Sequence, residues 1–264
     1  MDNSTPYYLF FDFDGTIYKD KKIDKETQDA IKLAKSHGCK VYTNSGRSLP
    51  NLFKDLKPNC DIVFDGYLCS GASIYLGNDG ENCLQEKLVS LDDAIEIINY
   101  IRDKSFWARI ETDKGVHTVE MHGHITYTNE ERQAFADKAI EFVKNANKIY
   151  KFGIFPPITT NYHSEDIHDA LPKYEWCFLL RGYELIYKGY GKGKVLKQFA
   201  SLMGYDENKF IMFGDSENDL QAFKLAKNKV AMAHSPKELK DLATYVAKTD
   251  FGVAEYINSL FLDK

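Results

Sequence analysis

Asp12-Phe13-Asp14-Gly15-Thr16 sits directly behind the apolar run Tyr8-Leu9-Phe10-Phe11. Two carboxylates two residues apart at the end of a buried strand point the same way. Like charges that close repel, and a cation or a shared proton relieves them. A hard divalent ion such as Mg²⁺, with a phosphate substrate, supplies the first of these. Gly15 lets the chain turn sharply after the pair, and Thr16 presents a backbone N–H and a hydroxyl to an anion. Asp-Gly is also a common turn signal, so the pentad alone fits an acidic strand end as well. An EF-hand loop is excluded, because Ile17 and Ile23 stand where that loop needs Gly and Glu.

A second acidic cluster, Gly214-Asp215-Ser216-Glu217-Asn218-Asp219, follows the apolar run Phe210 to Phe213. Asp, Ser and Asn also suit a helix N-cap, so capping and metal binding can be shared among these residues. Ser45-Gly46-Arg47 follows the β-rich stretch Lys40 to Thr43, where a hydroxyl and an N–H at a strand-to-helix turn can hold a phosphoryl oxygen. Lys192 lies in Gly189-Tyr190-Gly191-Lys192-Gly193-Lys194, just before a helical stretch. The spacing is wrong for a P-loop, which needs four residues between its glycines and a hydroxyl after the lysine.

The elements that must position these residues alternate. Strand-like Tyr7 to Phe11 leads to a helical pattern over Lys25 to His37; Lys40 to Thr43, helical Pro50 to Leu56 and strand-like Ile62 to Phe64 follow. The last third repeats the rhythm, with helices expected over 194–203, 219–225, 236–242 and 253–260 and strands over 210–213 and 230–232. That is the βαβ order of a parallel sheet. The middle carries strand-like pieces at 107–111, 116–121, 174–180 and 184–187 around helical stretches at 91–101 and 130–144, which suggests an α+β insert. The expected organisation is an α/β, Rossmann-like parallel-sheet core over 1–80 and 188–264, interrupted by an α+β cap over 81–187.

Composition narrows the function classes. At 264 residues the chain has ample length for a core, and 44% hydrophobic with 28% charged residues describes an ordinary globular protein. A net charge of −5 argues against a general nucleic-acid binder. Cys39, Cys60, Cys69, Cys83 and Cys177 are scattered and odd in number, which makes no disulfide framework or zinc site and suits a reducing cytoplasm. No apolar stretch reaches membrane-spanning length.

The order DxDGT, strand-SGR, Gly-Lys-Gly, strand-GDSEND resembles the haloacid dehalogenase-like superfamily of phosphotransferases. The stretch from Phe213-Gly214-Asp215 to Asp250-Phe251-Gly252-Val253-Ala254 is similar to its Cof-type hydrolase branch with a class IIB cap, as is Asp65-Gly66-Tyr67-Leu68-Cys69-Ser70-Gly71-Ala72, where Asn replaces Ser70 more usually. Ser45 stands where Thr is commoner, and Leu220-Gln221 where an acidic residue and Met are frequent. The resemblance covers the outer thirds; the middle matches only in length and position.

The resemblance implies a Mg²⁺-dependent phosphatase of small phosphorylated metabolites, sugar phosphates foremost. It makes Asp12 the nucleophile and Asp14 the general acid and base. Mg²⁺ is expected on the Asp12 carboxylate, the Asp14 carbonyl and Asp215, with Asp219 in support; Thr16, Ser45, Gly46, Lys192 and Asn218 are expected around the phosphoryl group. Arg181 and Tyr183, near the exit from the cap, are candidate substrate readers, whereas His117, His122 and His124 fit no standard zinc spacing. A sugar phosphomutase and a non-catalytic phosphometabolite-binding protein are the rival readings. The expected partner is a small phosphorylated metabolite, not nucleic acid or a membrane, on a cytoplasmic monomer or homodimer.

Overall fold

The computed structural model describes residues 7–121, 125–156, 169–179, 182–249 and 251–262. The chain packs as two units, one formed by 1–86 with 190–264 and the other by 87–189.

The first unit is built on an eight-stranded sheet. Its strands are β1 (Tyr8–Phe11), β2 (Lys40–Ser45), β3 (Gly66–Cys69), β4 (Ser73–Leu76), β5 (Asn82–Gln85), β11 (Phe210–Gly214), β12 (Asn228–Ala231) and β13 (Tyr245–Val246), in the order β13-β12-β11-β1-β2-β3-β4-β5. All pairings from β13 to β3 are parallel, and β4 and β5 continue antiparallel at one edge. β1 lies centrally and reads Tyr-Leu-Phe-Phe because a parallel strand covered on both faces has no solvent side to make polar. Leu9, Phe11, Val41, Ile211 and Phe213 face α1 (Lys25–Ser36), α2 (Leu49–Asn59) and α8 (Gly252–Phe261). Phe10, Tyr42, Leu68 and Met212 face α5 (Lys192–Met203), α6 (Leu220–Leu225) and α7 (Lys237–Leu242). This is a Rossmann-like, doubly wound α/β layer structure.

Register delivers the functional loops to one edge. Phe11 pairs with Phe213 on one side and Thr43 on the other, so Asp12, Asp215 and Ser45 all emerge within two residues of the same level. Ligands of open parallel sheets bind beyond these carboxyl ends.

Two expectations about this unit are corrected. Residues 62–64 carry no strand, and β3 begins at Gly66. Asp65 supplies the reason: its carboxylate accepts from the Val41 N–H at 2.9 Å and pairs with Lys35 and Lys40, pinning the chain before the ladder starts. β5, expected in the insert, pairs with β4 instead, because Gly77 and Gly80, both at positive φ, turn the chain back along the sheet.

The second unit has an antiparallel five-stranded sheet in the order β7-β6-β8-β10-β9, from β6 (Trp107–Thr112), β7 (Gly115–Val119), β8 (Ile149–Phe155), β9 (Tyr174–Leu179) and β10 (Gly182–Tyr187). α3 (Leu91–Lys104) and α4 (Asn129–Lys144) pack through Ile97, Ile98, Ile101, Ala136, Ala139 and Val143 on strand residues such as Ile110, Phe152 and Leu185. Capping sets the helix starts: Ser90 accepts from the Asp93 N–H at 3.1 Å, and Thr128 and Glu131 form a reciprocal capping box. β8 has no counterpart among the expected strands, because Lys151 and Gly153 break its apolar pattern. No described helix is long and apolar enough to cross a membrane.

Candidate active site

Asp12 is the first residue beyond β1. Its N–H continues the ladder to the Phe213 carbonyl at 2.9 Å, and the residue is 4% exposed. Lys192 opens α5 and reaches it from the opposite wall. Its ammonium donates to Asp12 Oδ1 at 2.6 Å, Asn218 Oδ1 at 2.7 Å and Asp219 Oδ1 at 2.8 Å. An ammonium has three N–H bonds, and three acceptors meet them. α5 is brought close by its glycines: the Gly191 N–H donates to the Gly71 carbonyl at 2.8 Å, and a Cβ on Gly193 would lie 2.7 Å from the Gln221 backbone.

Asp219 holds the loop after β11. Its Oδ2 accepts from the N–H groups of Asp215 and Ser216 at 3.1 and 3.2 Å, while its Oδ1 accepts from Lys192. With both oxygens taken by donors, it supports its neighbours more than it offers a free ligand atom. Gly214 admits this arrangement, since a Cβ there would lie 2.6 Å from the Asp219 carboxyl. Asn218 accepts from both Lys192 and the Ser216 hydroxyl, so it orients the lysine.

Asp215 turns towards Asp12. One oxygen each from Asp12, Asp215 and Asp219 lie within 4.8 Å of one another, the acidic group among the described residues suited to a metal. Asp215 Oδ1 accepts from the Thr16 hydroxyl at 3.1 Å, and Oδ2 faces His234 Nε2 at 3.3 Å. Gly15, at φ 81°, passes so near that a Cβ would lie 2.3 Å from Asp215 Oδ2.

Crowding these charges out of water sets their proton affinities. Burial pushes the Asp12 carboxyl up to about 7, with Lys192 pulling it down and Asp215 pushing it further up. Asp219 is raised to about 6 and Asp215 is also raised, burial again leading in both. Burial pulls Lys192 down, but Asp12 and Asp219 overcome it and hold the ammonium well above the ordinary lysine range. One lysine thus faces two buried carboxylates and a half-buried third, and the all-oxygen donor set fits a hard divalent cation.

Ser45 closes β2, 1% exposed, its Oγ accepting from the Arg47 N–H at 3.1 Å across Gly46. Asp14 departs from expectation: its side chain is 56% exposed and both its oxygens are bonded by Arg47 at 2.7 and 2.6 Å. Strand alternation does not carry past Phe11. The Ile17 and Tyr18 N–H groups both donate to the Phe13 carbonyl, so the chain is already turning at Asp14. Thr16 likewise spends its hydroxyl on Asp215 instead of lying open to an anion.

Arg47, Asp55 and His234 were absent from the expected set. Arg47 had a signal in the strand-SGR motif itself, and His234 follows a strand end as Asp12 does; Asp55, within α2, had none. Tyr183 packs against the apolar core of the second unit, and Arg181 lies outside the described residues. His117 stacks on Phe142 at 5.1 Å between centroids, with burial and then Lys138 lowering its proton affinity, as a packed strand residue; His122 and His124 lie outside the described residues.

The haloacid dehalogenase-like hydrolase family model matches residues 9–257. The 5-amino-6-(5-phospho-D-ribitylamino)uracil phosphatase YwtE of Bacillus subtilis is 23% identical over 282 residues, covering 96% of this chain and 97% of that protein. The phosphatase BT1666 of Bacteroides thetaiotaomicron superposes with a TM-score of 0.75 at 18% identity, covering 96% of this chain and 94% of that one. The subclass IIB sugar phosphatase BT4131 gives 0.71 at 19% identity, covering 96% and 98%. At those identities the two structures speak for the fold. The family model spans nearly the whole chain, including both acidic strand ends, and the protein belongs to the haloacid dehalogenase-like hydrolases.

Proposed function

We propose that this protein is a Mg²⁺-dependent phosphatase of small phosphorylated metabolites, sugar phosphates foremost, that works through a phosphorylated Asp12. The observation that carries this reading is the buried Asp12–Lys192 pair at 2.6 Å beside Asp215. A binding protein has no need of a buried carboxylate aligned with a fully bonded lysine at a strand end, whereas a phosphoryl-transfer enzyme needs both.

Each residue then has a task. A carboxylate oxygen of Asp12 forms a bond to phosphorus as the bond from phosphorus to the leaving oxygen breaks. The electron pair goes to that oxygen, which takes a proton from Asp14. Water next attacks phosphorus, the bond to Asp12 breaks, and Asp14 takes the proton back. Lys192 neutralises charge on the phosphoryl oxygens, held in place by Asn218 and Asp219, while Ser45 and Gly46 offer a hydroxyl and an N–H. Asp12, Asp215 and the Asp14 carbonyl are the groups that would hold Mg²⁺, with Asp219 behind them. Bound there, the ion supplies positive charge that keeps the carboxylates ionised and offsets charge on the phosphoryl group.

The kinship with a ribitylaminouracil phosphatase and a sugar phosphatase supports polyhydroxylated leaving groups. Incubation with glucose 1-phosphate and glucose 6-phosphate separates this reading from a mutase. Release of inorganic phosphate is expected; interconversion of the two sugars without release would replace the phosphatase with a mutase.

A further inference from the structure

Arg47 makes more directed contacts than a surface arginine needs. Its Nε donates to Asp14 Oδ2 at 2.7 Å and its Nη2 to Asp14 Oδ1 at 2.6 Å, a side-on bidentate pair. Its Nη1 donates to Asp55 Oδ2 at 2.5 Å and to the Asn51 carbonyl at 3.3 Å, both on α2. The guanidinium also lies 4.8 Å from the Phe13 ring centre and 5.5 Å from that of Tyr18, and these rings stack at 4.7 Å.

The arginine backbone is fixed as well. Its N–H donates to Ser45 Oγ at 3.1 Å, and its carbonyl accepts from the Ser70 N–H at 3.0 Å. Asp14, by contrast, sits on a turn that Gly15 closes at φ 81°. A rigid, multiply anchored cation therefore grips the carboxyl of a residue on a turn. A plain staple between this loop and α2 would need one oxygen of Asp14. Using both fixes the rotation of the carboxyl group as well as its place.

We infer that Arg47 is the positioning residue for Asp14, presenting its carboxyl to the leaving oxygen in a fixed orientation, with Asp55 as the anchor of the arginine. This rests on the reading of Asp14 as acid and base in the proposed phosphatase. The clamp does not block proton transfer, because each carboxyl oxygen has a second lone pair beyond the one that accepts from Arg47. As the bond from phosphorus to the leaving oxygen breaks, the electron pair goes to that oxygen and the proton moves to it from Asp14. The carboxylate so formed is already paired with the guanidinium, which favours the transfer. Lysine is a poor substitute, since a point charge on a flexible stem cannot present two parallel N–H bonds.

The test compares two leaving groups. An alkyl oxygen, as in glucose 6-phosphate, needs a proton to leave, whereas the nitrophenolate of p-nitrophenyl phosphate leaves without one. We would measure kcat/KM, which reports steps only up to departure of the leaving group, for the wild type, Arg47→Ala, Arg47→Lys and Asp55→Asn. General acid catalysis contributes about 10²–10⁴-fold, so the alkyl-to-aryl ratio should fall at least ~30-fold in Arg47→Ala, with partial recovery in Arg47→Lys and an intermediate fall in Asp55→Asn. Should Arg47→Ala fail to give a cooperative thermal melt, the two milder variants carry the test. An active wild type whose ratio stays within about twofold in the folded variants overturns the inference, because a structural staple affects both substrates alike. No release from either substrate by the wild type overturns the phosphatase reading and this inference together.

Discussion

Asp12 is buried, paired with Lys192 and crowded by Asp215, and that combination gives the site a pH signature. Folded Asp12 holds its proton up to about pH 7, against an ordinary value of 3.8. Between those limits the folded state binds more protons than the unfolded one, so this group's contribution to stability falls as pH rises from about 4 to about 7. Asp12→Asn cannot ionise and escapes that fall. In metal-free protein, the melting temperature of Asp12→Asn minus that of the wild type should therefore be larger at pH 8 than at pH 5. A constant or shrinking difference would show that the wild-type carboxylate is not destabilised by its burial. At this scale the sequence was most informative about residues fixed by a strand end. Asp12, Ser45 and Asp215 follow apolar runs whose pairing sets their level, and Lys192 starts a helix next to a glycine. The direction of the Asp14 side chain was not legible, because it depends on a turn at Phe13 and on an arginine over thirty positions away.

Among the elements, α5 carries the lysine and packs tightly against the start of α6. Gly193 lies where any side chain would enter the Gln221 backbone at the start of α6. Gly193→Ala should push α5 and α6 apart, destabilise the protein by roughly 1–3 kcal/mol and lower turnover through a displaced Lys192. Denaturant unfolding with a phosphate-release assay checks both, and a variant with wild-type values in each would show that α5 shifts at no cost. Buried parallel strands were readable because continuous apolar runs bounded by glycine or acidic residues leave few alternatives, as at β1 and β11. β8 was not, because its charged and glycine positions are understood only once neighbouring strands of the cap sheet are in place. β4 and β5 were missed for a similar reason, being short edge strands whose pairing follows from the turn at Gly77 and Gly80.

At the scale of the whole molecule, the two units have separate apolar cores. Residues 87–189 bury Ile97, Ile101, Ile110, Phe152 and Leu185 among themselves, apart from the cores on either side of the larger sheet. A polypeptide of residues 87–189 alone should therefore fold, giving a single cooperative melt by circular dichroism. A gradual, non-cooperative loss of signal would mean that the insert depends on the rest of the chain. Its place as an insert was legible from the change in element rhythm; residues 82–85, expected within it and not as a strand, pair as β5 with β4, a short edge strand with a weak sequence pattern. Phosphate release from a panel of sugar phosphates should be followed with and without Mg²⁺, for the wild type and Asp12→Asn. Metal-dependent release by the wild type is expected, with a fall on the order of 10⁴-fold or more in the variant, as for loss of a nucleophile. Release that survives in a folded Asp12→Asn protein, or a wild type that releases nothing from any of them, would overturn the phosphatase reading.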